Sequence, residues 1–453
     1  MNGYRNKSAF AAPKWRQLLV LGTILGVGAT RDASADTWVP LIQAGALGMD
    51  GTRMGTSIAV DGDASGAKYI YVGAPYESYN ALAEAGAVYV FAPTGPGVQY
   101  LTTLFAATPR AGAHFGASIA ARNGNILVGA PDYNDVGGIG AGAGYVQFFF
   151  NNGEAPLNII SKGARSGNGG NFGRAVALDA DFAVISSVNA GNGDGCVFTF
   201  HYDLPMNKWI PFPASDVACG SGGEKSGSSV AIRQTGPTTF LAVSGAPAAT
   251  QGANALAGAV HIYFPNNGAL LEIGTLAAQD PAPAFLDAFG TSVGIDANYV
   301  YVGATGRDNG AGRTGSVTIF KPAFIIGYDY LAEYYPLAPA TIGGHCGASL
   351  NVDPLPPGGF ILGCPDSDTV YFNGEGTARV YRPFEFLGQP VWLESLLTYG
   401  TQFHGADALG TSVDIHGDQA FVGAPKAHVA GQTNDGGFRE FVPDKLFQNG
   451  FEG

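Results

Sequence analysis

Residues Phe115 to Pro131 read FGASIAARNGNILVGAP. Ser118 to Ala121 alternates small and apolar residues, and Ile126 to Val128 is a short apolar run. Between them stands Asn123-Gly124, a pair that accepts positive φ and matches the right-handed twist of two flanking strands. Gly129 and Pro131 close the segment, because proline has no amide to give a ladder. The stretch predicts a β-hairpin. A lone hairpin is marginal in water, so it must stack on something.

The same pattern returns along the chain. Its second-position glycine recurs at Gly55, Gly116, Gly173, Gly227, Gly290, Gly347 and Gly410, with gaps of 61, 57, 54, 63, 57 and 63 residues. Two positions later come Ser57, Ser118, Ala175, Ser229, Ser292, Ser349 and Ser412, each followed by an aliphatic residue. A hydroxyl present in six of seven copies reads as architecture, not as one nucleophile. Gly-Ala-Pro closes copies one, two, four and seven, and copy three has Ser186-Ser187-Val188 instead. A third apolar strand follows each copy, as in GAVYVF from Gly86, and a fourth often precedes the next, as in Val391-Trp392-Leu393. Four strands in each of seven copies predict an all-β, seven-bladed β-propeller of four-stranded antiparallel blades. Period 2 puts small residues on one face of the first strand and aliphatic ones on the other, which lets blades interdigitate near an axis. Copy seven lacks a fourth segment. Thr37-Trp38-Val39-Pro40-Leu41 at the other end of the chain supplies one and is expected to close the ring, removing an exposed edge.

Bulk properties agree. The 453 residues include 69 Gly and 27 Pro, only 13% are charged, and no long helical periodicity appears. Lys14 and Arg16 precede the apolar run Leu18–Leu25, and Ala33-Ser34-Ala35 offers small residues for cleavage, so residues 1–35 read as a secretory signal peptide. The expected domains are that leader, a propeller over 36–446 and a C-terminal tail at 447–453. The apolar run is short for a membrane span. Residues 1–35 hold five of the 23 basic residues and one of the 36 acidic ones, so the remainder carries a net −17. That charge favours solubility and disfavours nucleic acid or anionic lipid as partners. The predicted product is secreted, to the extracellular space, the cell surface or the periplasm, and monomeric.

Four cysteines in an oxidising compartment predict two disulfides. Cys346 and Cys364 flank the first hairpin of copy six. If Val352 pairs with Phe360, they share a face one diagonal step apart, slightly far for a bridge unless the hairpin twists. Cys196 and Cys219 form the second expected pair, joining the third strand of copy three to the segment leading into copy four. No spacing suits zinc.

These repeats resemble the bacterial FG-GAP repeat family and, in pattern, the propeller of integrin α subunits, over essentially all of residues 36–446. The resemblance implies calcium in the loop between the first two strands, held by a D-x-D-x-D-G-x-x-D pattern of oxygen ligands. Asp61, Asp63 and Ser65 fit it, whereas Tyr69 replaces the last acid, which leaves one weak calcium ion as the only cofactor expected. The other copies have short turns there.

Two further features bear on function. The residues before the Phe-Gly pair are Arg53, His114, Asn171, Lys225, Ala288, His345 and Ala408. In an acidic chain, Arg53, His114, Asn171, Lys225 and His345 would form a ring of donors at the channel rim, suited to a carboxylate or sulfate. The loops after Gly-Ala-Pro hold Glu84, Asp132, Asp135, Asp308, Asp366, Asp368 and Asp435. Facing acids there could act on a sugar as acid and base. The Ser-rich run from Gly220 to Ser226 has Glu224 where a phosphate loop needs glycine, and neither H-E-x-x-H nor G-x-S-x-G occurs. The sequence therefore predicts a non-enzymatic binding or adhesion module for a protein or glycan ligand. The alternative is a secreted polysaccharide-active enzyme using paired acids on the propeller face.

Overall fold

A computed structural model describes residues 38–45, 51–63, 66–94, 98–134, 145–150, 155–161, 170–212, 217–266, 269–279, 282–310, 312–323, 327–337, 342–368, 373–398, 407–427 and 435–443. The expected leader, the tail, Ser65 and Asp135 lie outside them, as does the side chain of Asp63.

Strand β1 (Trp38–Gly45) opens the described chain. Blade one is β2 (Ser57–Asp63), β3 (Gly66–Ala74), β4 (Ala87–Pro93) and β5 (Val98–Leu104). Blade two is β6 (Ser118–Arg122), β7 (Asn125–Ala130), β8 (Tyr145–Phe150) and β9 (Ala155–Ser161). Blade three is β10 (Phe172–Asp179), β11 (Phe182–Ser187), β12 (Cys196–Asp203) and an outer strand split into β13 (Lys208–Pro211) and β14 (Val217–Cys219), both pairing with β12. Blade four is β15 (Ser229–Gly236), β16 (Thr239–Ala246), β17 (Ala259–Asn266) and β18 (Ala269–Leu276). Blade five is β19 (Phe289–Ile295), β20 (Val300–Ala304), β21 (Ser316–Pro322) and β22 (Tyr328–Tyr334). Blade six is β23 (Ser349–Val352), β24 (Phe360–Cys364), β25 (Thr377–Phe386) and β26 (Gln389–Leu397). Blade seven is β27 (Ser412–His416), β28 (Gln419–Ala424) and β29 (Gly437–Pro443), with β1 on its outer edge, antiparallel to β29. All seven sheets are antiparallel, as the repeat predicts, and the five besides blades three and seven are simple four-stranded meanders.

The core is distributed over the interfaces between blades. Ile58 and Val60 pack with Phe421 and Phe438 of blade seven, whereas Ala59 packs with Ile119, Ile126 and Val128 of blade two. The period-2 alternation read from the sequence is thus an alternation between the preceding and the following neighbour.

The serine column ties the interfaces together. Ser57, Ser118, Ser229, Ser292, Ser349 and Ser412 each donate Oγ–H to the carbonyl of the next blade's Phe-Gly glycine, at 2.7 to 2.9 Å. The last of these, from Ser412 to Gly55, links blade seven back to blade one. The Gly-Ala-Pro glycine is the complement of that bond. A Cβ on Gly73 would lie 2.0 Å from the Gly116 carbonyl oxygen and 2.3 Å from Ser57 Oγ. The Phe-Gly glycine has its own reason: Gly116 has φ +90°, and a Cβ there would meet the Ala87 carbonyl at 2.5 Å.

Both disulfides form as paired in the sequence reading, Cys196 with Cys219 and Cys346 with Cys364. The second corrects the expected diagonal geometry. Val352 does pair with Phe360, yet the two cysteine Cα atoms stand only 3.9 Å apart. A register irregularity after the Phe position is the cause. In blade five it sets Phe289 opposite Ala304 while Ser292 faces Gly303, and the equivalent positions in blade six are Cys346 and Cys364. Among the described residues no helix is long and apolar enough to cross a membrane.

Candidate functional site

The residue before each Phe-Gly pair occupies the left-handed region in all seven blades. Arg53, His114, Asn171, Lys225, Ala288, His345 and Ala408 have φ between 50° and 61°. Each carbonyl accepts the amide three residues on, at 3.1 to 3.3 Å. Seven equivalent turns therefore project side chains of five kinds around one end of the axis, the end that carries the inter-blade linkers. The left-handed turn itself favours residues such as Asn at this column, which is one reason the positions read as polar.

The five donors that the sequence expects to form a ring are engaged with neighbouring side chains. The Arg53 guanidinium carbon lies 4.4 Å from the Tyr76 ring centre, and Tyr76 packs 4.7 Å from the His114 ring. His114 Nδ1 lies 2.8 Å from Asp132 Oδ2, and its Nε2 is 3.4 Å from Glu84. The bond to Asp132 raises the His114 pKa above its ordinary value against the opposing effect of burial, and Glu84 adds to the rise. Asn171 Nδ2 donates to Asp132 Oδ1 at 2.7 Å, Asn189 donates to Asn171, and Lys225 Nζ donates to Asn189 Oδ1 at 2.6 Å. One chain of contacts thus runs from Arg53 to Lys225 across blades one to four. His345 pairs separately with Asp366, 2.7 Å away, with both side chains about half exposed. Ala288 and Ala408 leave gaps in the ring. Three of the acids after Gly-Ala-Pro, Glu84, Asp132 and Asp366, are partners of three of the donors before Phe-Gly, His114, Asn171 and His345, although the sequence presents them as two separate features. Asp308 turns instead to the amides of Gly310 and Gly312 within its own loop, and Asp368 to the amide of Gly374.

The opposite end of the axis holds a feature that the sequence reading missed. A cavity of about 900 Å³ is lined by four residues of every inner strand, from Ile58–Asp61 round to Val413–His416. The five ring residues do not line it. Its mouth carries the residue six positions after each Phe-Gly glycine, at or near the end of the inner strand: Asp61, Arg122, Asp179, Arg233, Asp296, Asp353 and His416. Most of the acids here satisfy backbone donors. Asp61 accepts the amides of Asn123 and Gly124 in the next blade's turn, Asp179 accepts Gln234 N at 2.8 Å, and Asp353 accepts Gly417 N at 3.0 Å. The Asp61 carboxylate, proposed from sequence as a calcium ligand, thus gives one oxygen to each of two amides. Among the described residues no three metal-ligating side chains come together. Deeper in the wall, Asp414 accepts Val60 N at 2.6 Å and Asn351 Nδ2 at 2.8 Å. Burial pushes its carboxyl up to about 7, opposed by the amides of Val60 and Ile415 and reinforced by Asp353.

A family model for the FG-GAP repeat matches residues 271–320, which span the end of blade four and three strands of blade five. No curated protein matches the chain. The chain is a seven-bladed β-propeller, and the unit that matches the FG-GAP repeat is one of seven that recur in the same register, with the same glycine turn and, in six, the same serine clamp.

Proposed function

We propose that this protein is a binding module of the adhesion type, exported from a bacterial cell, that takes a protein or glycan ligand on the face carrying the inter-blade linkers. The observation that supports this most is the ring of seven identical left-handed turns. Such a ring holds backbone constant and varies only the side chain, which is how rigid scaffolds present recognition residues. Arg53, Lys225 and His345 are the donors for an acidic group on the ligand, with His114 and Asn171 holding the ring in shape. The two disulfides suit an oxidising compartment.

The enzymatic alternative is the weaker reading. Glu84 and Asp132 converge on one imidazole, and Asp366 holds another. Carboxylates used in this way are not posed across an open cleft as glycoside hydrolysis requires. The test is a screen of the intact chain on arrays of acidic glycans and extracellular matrix proteins, beside a variant with Arg53, His114, Lys225 and His345 all changed to Ala. Loss of the wild-type hits in a folded variant is expected. Hits that survive the four changes would place the site elsewhere.

A further inference from the structure

The cavity at the other end of the axis has its longest turn in blade six. There the turn joining β23 to β24 runs from Asp353 to Gly359, whereas the equivalent turn is two residues in blades two, three and seven. Its prolines 354, 356 and 357 are exposed and line the cavity. Tyr299 and Trp392 line it too, in an edge-on contact of 5.1 Å between ring centres. Trp392 is buried, and Tyr299 is half-buried. Two polar groups on this wall have no hydrogen-bond or ion-pair partner among the described residues: the Tyr299 hydroxyl and the Arg233 guanidinium. Arg122, at the corresponding place in blade two, lies 3.4 Å from Asp179.

We propose that this mouth binds a neutral saccharide, with Tyr299 and the proline turn as an apolar platform and Arg233 as a hydroxyl-directed donor. Charge selects the class. Four carboxylates line the mouth, those of residues 61, 179, 296 and 353, against two guanidiniums and His416, so an anion enters an unfavourable field. A metal ion finds no cluster of ligands among the described residues, and the acids are already accepting amides. Those carboxylates still have lone pairs for hydroxyl donors. The inner strands sit at the end of each sheet, so their free edges offer amides and carbonyls as well. A ligand whose hydroxyls both donate and accept, and whose ring presents C–H faces, satisfies such a wall. The volume falls in the range of small-molecule sites and has room for a short oligosaccharide.

This site is separate from the linker-face ring. The experiment is calorimetric titration of the full chain with hexose, deoxyhexose and N-acetylhexosamine mono- to trisaccharides, each beside a sialylated or sulfated counterpart. At least one neutral saccharide should bind. Tyr299→Ala and Arg233→Met should each weaken it tenfold or more, and the four-residue ring variant should bind it unchanged. If Tyr299→Ala fails to fold, Tyr299→Phe, which removes only the hydroxyl, should weaken binding measurably. The proposal is overturned if no neutral saccharide binds, if the charged counterparts bind better, if Arg233→Met and the Tyr299 variants leave affinity unchanged, or if the ring variant abolishes it.

Discussion

Blade three breaks the serine rule, and how it does so gives the sharpest test of what holds the ring together. In six blades, a Cβ on the Gly-Ala-Pro glycine would stand 2.2 to 2.4 Å from the serine Oγ across the hairpin. Serine at the one position therefore excludes any side chain at the other. Blade three inverts both at once. Ala175 replaces the serine, Ser186 replaces the glycine, and Ser186 Oγ accepts the Ala175 amide at 2.9 Å while fully buried. Ala175→Ser alone forces a hydroxyl into the space of Ser186 and should destabilise by about 1–3 kcal/mol, the usual effect of overpacking. Ser186→Gly alone loses a buried hydrogen bond and adds chain entropy to the unfolded state, and should destabilise by about 1–2 kcal/mol. Together the changes restore the arrangement of the other blades, with the introduced hydroxyl free to reach the Gly227 carbonyl. The double variant should match or exceed the parent, giving a coupling of about 2 kcal/mol or more between the two sites. Urea denaturation of the four proteins measures it. Effects that add to within about 0.5 kcal/mol would refute the mutual exclusion of serine and side chain.

Because the folded Asp414 carboxyl titrates near 7, well above its ordinary 3.8, the native chain holds its proton more tightly than the unfolded chain. Its contribution to stability therefore falls as pH rises from about 4 to 7, and Asp414→Asn should flatten that part of the pH–stability curve; an unchanged slope would count against a buried, proton-retaining Asp414. Deleting residues 37–45 strips the outer strand from blade seven and should lower the melting temperature and promote association through the bared edge of β29; a monomer with an unaltered melting temperature would contradict this. Non-reducing peptide mapping should recover Cys196 with Cys219 and Cys346 with Cys364, and reduction should cost roughly 3 kcal/mol per bridge in the chain-entropy model. Calorimetric titration with calcium should show at most one weak site, and several tight ones would mean that the short turns bind ions after all.

The architecture is legible in the sequence because the same local demands are repeated seven times. Glycine at a positive φ beside a neighbouring carbonyl, and a small hydroxyl that reaches the next blade, leave marks that a single copy would hide. The identity of the serine's acceptor is not legible, since it lies 55 to 61 residues ahead, or 357 behind for Ser412. The linker-face ring is half legible. His114, Lys225 and His345 stand out as donors, but their acceptors sit in another column, which the bond from the Phe-Gly amide to the Gly-Ala-Pro glycine carbonyl, as from Gly116 N to Gly129 O and from Gly347 N to Gly363 O, brings alongside. That bond is available as a clue, because the Phe-Gly and Gly-Ala-Pro positions bracket one hairpin. The mouth of the cavity reads in sequence merely as turns. Asp61, Asp179, Asp296 and His416 align with Arg122 and Arg233 at a fixed distance from the Phe-Gly glycine, a signal that only the closed ring makes meaningful. The platform of Tyr299 and the proline turn is made by turns of two different blades, which no spacing encodes.

The central claim is that ligand is taken on the linker face. Amide hydrogen exchange of the intact chain, with and without the strongest ligand from the array screen, tests it most directly. The account predicts new protection in the loops at 76–86, 107–114 and 342–346. Protection confined to the outer strands β5, β18, β22 and β26, or to the turns at 296–299 and 353–359 on the opposite end of the axis, would contradict it.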